Sequence, residues 1–125
     1  MNFNLNQTQL SIIDSVQNIM KNFDDDYWLQ CDKENKFPHK FYEEIASGGW
    51  LGICMPKHFG GTALGISDAS IFMQKVSETG GGMAAASSIH INIFGPHPIV
   101  VYGNNEQKEK WLPPLISGKE KTCFG

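Results

Sequence analysis

Apolar side chains return in this sequence at steps of three and four residues, in runs that glycine and proline interrupt. That rhythm points to a bundle of helices and against alternating strands. Ile12, Val16, Ile19 and Phe23 form the first stripe, and Asn6 with Gln9 makes a capping-box pair in front of it. Asp24-Asp25-Asp26 closes the pattern, and the polar stretch behind it, with Tyr27 and Trp28, reads as a loop with an aromatic anchor. A second helix is expected from Pro38, whose fixed φ suits a first helical turn, with Phe41, Ile45 and Ala46 facing inward and Gly48-Gly49 as its stop. Trp50 to Gly61 is irregular and is broken by Pro56.

A third helix is expected after Ser67 as N-cap, with Ala69, Phe72 and Val76 on one face, ending at Gly80-Gly81-Gly82. The fourth starts near Met83, where Ala84, Ala85 and Ala86 permit close helix contact. It runs through Ile89 and Ile93 to Phe94, until Gly95-Pro96 breaks it. Pro98 to Tyr102 reads as a short apolar turn. Asn104 with Gln107 repeats the capping box and opens a last helix that ends near Pro113-Pro114. The expected fold is therefore all-α, a bundle of about five helices over residues 1–120. Lys121-Thr122-Cys123-Phe124-Gly125 has the residues of a strand, which would need a neighbour that no other segment supplies. Residues 121–125 are thus expected to be the start of a missing β unit.

The remaining composition excludes more than it selects. No apolar run is long enough to cross a bilayer, and the N-terminus lacks the basic cluster and apolar core of a secretion signal. Net charge is −3, and all ten basic side chains are lysine, which disfavours bidentate phosphate or base recognition; no nucleic-acid partner is expected. Lys108, Lys110, Lys119 and Lys121 alternate with Glu106, Glu109 and Glu120 as a solvated face. Cys31, Cys54 and Cys123, odd in number and widely spaced, read as reduced, mostly structural thiols of a cytoplasmic protein, and the four histidines lack zinc-ligand spacing, so no metal is expected. Gly80-Gly81-Gly82 follows a helix and lacks the P-loop pattern, so it reads as a cap or loop and not as a phosphate cradle. Glu43-Glu44 diverge by about 100° on a helix and cannot work on one bond. His90, between Ile89 and Ile91, is either a hydrogen-bonded, partly buried histidine or a pocket-lining one.

The order of several segments resembles the acyl-CoA dehydrogenase superfamily. Phe37-Pro38 leads into a helix, then come Gly49-Trp50-Leu51-Gly52-Ile53, Pro56 and Phe59-Gly60-Gly61. Further on, Pro98 to Gly103 precedes Glu106-Gln107-Lys108, Trp111-Leu112-Pro113 and Ser117-Gly118-Lys119. The resemblance spans essentially the whole chain, as the family's N-terminal helical domain. It implies an enzyme completed by a middle β domain and a C-terminal helical bundle, usually assembled as a homotetramer. FAD binds between those two domains and takes the β-hydride of an acyl-CoA while a glutamate removes the α-proton; an electron-transfer acceptor then reoxidises the flavin.

Residue by residue, the resemblance assigns little of that chemistry here. No catalytic residue falls in the chain, which alone should not turn over substrate. Phe124 and Gly125 would open the flavin-binding segment. Ser87, His90, Ile91 and Phe94 match positions on a helix that lines the acyl-tail pocket, where bulky Ile91 and Phe94 either shorten the pocket or pack an interdomain core. Two alternatives stand beside this reading: a same-fold flavoprotein oxidase or monooxygenase, and a stand-alone helical module that binds a partner protein.

Overall fold

The computed structural model describes residues 4–123. Among them lie seven α-helices: α1 (Gln7–Met20), α2 (Asp25–Lys33), α3 (His39–Ser47), α4 (Ile66–Ser77), α5 (Gly82–Phe94), α6 (His97–Tyr102) and α7 (Asn105–Ile116). Two 3-10 turns, Trp50–Gly52 and Lys57–Phe59, join α3 to α4. The expected helices are all present, and α2 and α6 are additional.

The apolar stripes become the core. Ile12, Val16 and Met20 of α1 pack on α4, whose buried residues are Ala69, Phe72 and Val76. The other side of α4 meets α5, which also touches α3, α7 and the first 3-10 turn and is therefore the central helix. Phe72 stacks on Trp50 at 5.0 Å between ring centroids and 8° between planes, tying α4 to the turn. Each fully buried Ile, Leu or Phe in this cluster contributes about 1.5–3 kcal/mol of transfer free energy.

Both sequence-level capping boxes form. Asn6 Oδ1 accepts from the Gln9 amide at 2.9 Å and Asn104 Oδ1 from the Gln107 amide at 2.9 Å, with each glutamine accepting in return from the cap residue's own N–H. The cap of α4 is Gly65 and not Ser67: Asp68, at the third position, reaches back to accept from the Gly65 amide at 3.1 Å.

Tyr27 and Trp28 belong to a helix and not to a loop. Asp24 is the N-cap of α2, its carboxylate accepting from the Tyr27 amide at 2.9 Å, and Asp25 and Asp26 in the first turn complement the helix dipole. Trp28 supplies what the missing stripe would have supplied. It lies against Phe23 and Phe41, and its indole N–H donates to the Phe23 carbonyl at 3.1 Å. Gly81 makes room for it, since a Cβ there would stand 2.5 Å from the indole.

Pro98 to Tyr102 is helical as well. Gly95 and Pro96 keep helical angles, so they kink the path from α5 into α6 without unwinding it. Nor do Pro113 and Pro114 end α7, which continues to Ile116. The amides they lack would have faced the carbonyls of Glu109 and Lys110, residues exposed to water, while Leu112, Leu115 and Ile116 pull the last turn onto the core. Between the 3-10 turns and α4 the chain folds back on itself, with Thr62 donating to Gly52 O and Leu64 to Ile53 O, both at 2.9 Å. Gly61 is required at this crossing, because a Cβ would fall 2.1 Å from the Met55 carbonyl.

No strand occurs among the described residues, and residues 121–123 are unpaired by any backbone ladder. A side chain of α5, Asn92, holds this tail instead. The strand expected from Lys121 onward therefore lacks a partner over 121–123, and Phe124 and Gly125 lie outside the described residues.

Candidate functional site: the α4–α5 groove

Where α4 and α5 diverge at the surface they leave a groove of about 530 Å³. Ser70, Met73, Gln74 and Ser77 form its α4 wall, spaced to share one helical face. Met83, Ala86, Ser87, His90 and Phe94 form the α5 wall with the same periodicity. The floor is apolar and the rim carries hydroxyl, amide and imidazole groups, a mixture suited to an apolar ligand with few polar contacts.

Three of the four residues expected to line an acyl pocket, Ser87, His90 and Phe94, are brought together here. Ile91 is not part of the groove lining; it lies half-buried on the same helix. His90 is exposed, with its ring 6.3 Å from that of Phe94, which removes the reading of a partly buried, hydrogen-bonded core histidine. Phe94 also borders a second hollow of about 270 Å³, lined with Cys54, Leu64, Ile66, Ile93 and His97, and so separates the two spaces. There the Cys54 thiol is pushed above its ordinary pKa by burial and then by the nearby Asp68 carboxylate, which keeps it protonated and poorly nucleophilic at neutral pH.

Two contributors were not evident in the sequence. The α4 wall had been assigned only its buried face, yet Met73 and Gln74 stand beside that stripe and form half of the groove. Asn92, buried in α5, carries no groove contact but makes the densest set of side-chain hydrogen bonds described.

The glycine run at the start of α5 is unsuited to a phosphate. Gly80 packs against the Asp25 carboxylate, and a Cβ there would meet Asp25 Oδ1 at 1.9 Å. An anion at this helix terminus would face a fixed negative charge. Among the described residues no group of histidine, cysteine, aspartate and glutamate could hold a metal ion, and no helix is long and apolar enough to cross a membrane.

The family model for "Acyl-CoA dehydrogenase, N-terminal domain" matches residues 6–119. This chain belongs to the acyl-CoA dehydrogenase family. Among curated relatives it is similar to acryloyl-CoA reductase (NADH) of Anaerotignum propionicum, with 40% identity over 76% of this chain and 24% of that protein. It is 31% identical to mitochondrial isovaleryl-CoA dehydrogenase of Bos taurus, over 92% of this chain and 27% of that one. The 3-(aryl)acrylate reductase of Clostridium sporogenes shares 32% identity over 76% of this chain and 25% of its own length. A solved chain from work on the electron transferring flavoprotein of Acidaminococcus fermentans superposes with a TM-score of 0.85 at 26% identity, covering 97% of this chain and 32% of that one. The acyl-CoA dehydrogenase-family domain described here spans about a quarter of the length of the curated relatives it matches.

Proposed function

We propose that this domain serves an FAD-dependent acyl-CoA dehydrogenase by forming one wall of the pocket for the acyl group. The observation that carries the proposal is the convergence of Ser87, His90 and Phe94 on a single apolar groove walled by α4 and α5. In this reading Phe94 closes the groove toward the hollow at Cys54 and sets the length of chain admitted, while Ser87 and His90 supply polar contacts at the rim. Ile91 bounds the pocket once the remainder of the enzyme covers α5.

The described chain contributes binding, orientation and exclusion of water. FAD, when bound, supplies the hydride acceptor for α,β-dehydrogenation. The glycine-rich start of α5 does not fit its diphosphate, because the Asp25 carboxylate packs against Gly80. The flavin contacts proposed for this chain are Phe124 and Gly125, with residues 121–125 leading into a middle β domain. An electron-transfer acceptor, a cytoplasmic location and a homotetrameric assembly complete the proposal.

A second reading concerns direction. Two of the similar proteins are named as reductases of acrylate derivatives, which favours reduction of an enoyl-CoA in the same groove. Phe94→Ala, placed in an enzyme that carries this domain with a flavin-binding remainder, tests the site for either direction. The preferred acyl length is expected to increase at least several-fold in kcat/KM for the longer substrate. An unchanged chain-length profile would refute the groove assignment.

A further inference from the structure

Asn92 sits in the middle of an apolar helix and is 4% exposed, the one buried polar side chain among the described residues. Burial of a carboxamide costs free energy unless each of its polar atoms finds a partner. Here they all do, and the partners come from three separate places. Nδ2 lies 2.9 Å from Tyr42 Oη on α3, 3.2 Å from Leu115 O near the end of α7, and 3.0 Å from Glu120 O beyond it. Oδ1 accepts from the Thr122 amide at 3.1 Å and from the Thr122 hydroxyl at 3.4 Å. The carboxamide thus presents its donors to one residue of the exit segment and its acceptor to another, as a strand neighbour would.

We infer that Asn92 is a positioning residue that fixes the path of segment 120–122 relative to the groove wall. His90 and Phe94 lie two residues to either side of it on the same rigid helix, and about half a turn around the axis, so they face away from the tail. One helix therefore carries the groove on one side and the anchor of the departing chain on the other. Lys121 adds a second hold, with its ammonium 4.2 Å from the Tyr42 ring centroid and 5.2 Å from that of Phe37. The Glu120 amide also ties the start of this segment to Pro114 O at 3.1 Å, whereas the Thr122 amide has Asn92 as its partner. The inference concerns the route of the chain and stands whether or not the groove takes an acyl group.

The test uses the 125-residue chain with Cys31→Ser and Cys54→Ala, leaving Cys123, which is exposed, as the one thiol for a nitroxide label. Thr122→Pro removes both the amide and the hydroxyl that donate to Asn92 Oδ1 and leaves the bonds of Asn92 to Tyr42, Leu115 and Glu120 in place, whereas Asn92→Ala removes all of them. Label motion at Cys123 is expected to quicken several-fold in both variants, while a control label at Ser47→Cys in a Cys123→Ser background stays unchanged. Tyr42→Phe, which loses the phenol's own 3.5 Å bond to Glu120 O but spares the bonds from Asn92 to Glu120 and Thr122, is expected to leave the Cys123 label as slow as in the parent. If Asn92→Ala fails to fold, Thr122→Pro decides alone. An immobile label in a folded Thr122→Pro chain, or equal loosening at both label sites, would overturn the inference.

Discussion

Trp28 gives the sharpest test of how the sequence holds this fold, because α2 has little else to bury. Trp28→Phe keeps an aromatic ring against Phe23 and Phe41 but deletes the indole N–H that now reaches the Phe23 carbonyl at 3.1 Å. A buried carbonyl left without its donor costs about 1–3 kcal/mol. The smaller ring also leaves a void worth roughly 1 kcal/mol. The expected loss is about 2–4 kcal/mol, and for a domain of this size Tm should fall by roughly 10 °C. Trp28→Ala adds the loss of the ring and should cost about 3–5 kcal/mol. Gly81→Ala attacks the same contact from the other side, with its Cβ 2.5 Å from the indole, and should cost about 1–3 kcal/mol. Urea unfolding followed by far-UV circular dichroism measures all three. A loss below about 0.5 kcal/mol for Trp28→Phe would mean that water takes over the Phe23 carbonyl and that α2 does not depend on this bond.

Asn104→Ala removes the cap and breaks both bonds of its box with Gln107, and should lower stability by about 1 kcal/mol in the same urea assay. Burial raises the Tyr42 phenol above its ordinary pKa, so folding favours the protonated form. That contribution is complete below the unfolded value of about 10 and is lost as pH rises through the higher folded value; urea midpoints should fall across this range, less steeply in Tyr42→Phe. Met83 and Tyr102 are 77% and 87% exposed, and with Val101 and Ile66 they leave apolar surface that promotes association. Light scattering of the purified chain should show oligomers, and its absorbance should show no flavin; a monodisperse yellow monomer would contradict both expectations.

The helices legible in the sequence were those with a stripe. α1, α3, α4, α5 and α7 each bury three or more residues, mostly at three- and four-residue steps. α2 buries Trp28 alone, so periodicity could not reveal it; the usable signal was Asp24 as a cap followed by two acidic residues suited to a helix start. Proline misled twice: Pro98 sits in the first turn of α6, where an amide has no intrahelical partner, and the amides missing at Pro113 and Pro114 would have met carbonyls of exposed residues. Ser87, His90 and Phe94 were named through the family resemblance, and their three- and four-residue spacing is what places them on one face of α5. The α4 wall was not legible, since pairing two helices is a tertiary fact. Asn92 was not legible either, because its four partner residues lie on α3, α7 and the tail, too far along the chain for spacing to connect them.

The division of labour on α5 has an evolutionary corollary. Ser87 and His90 are exposed, and replacing such residues ordinarily changes stability by no more than about 0.5 kcal/mol. Selectivity for a ligand could therefore drift through these positions at almost no structural penalty, while Ala85, Ile89 and Ile93 on the hidden side keep the scaffold constant. A library randomised at Ser70, Gln74, Ser87 and His90 should yield mostly folded proteins, a ready substrate for directed selection.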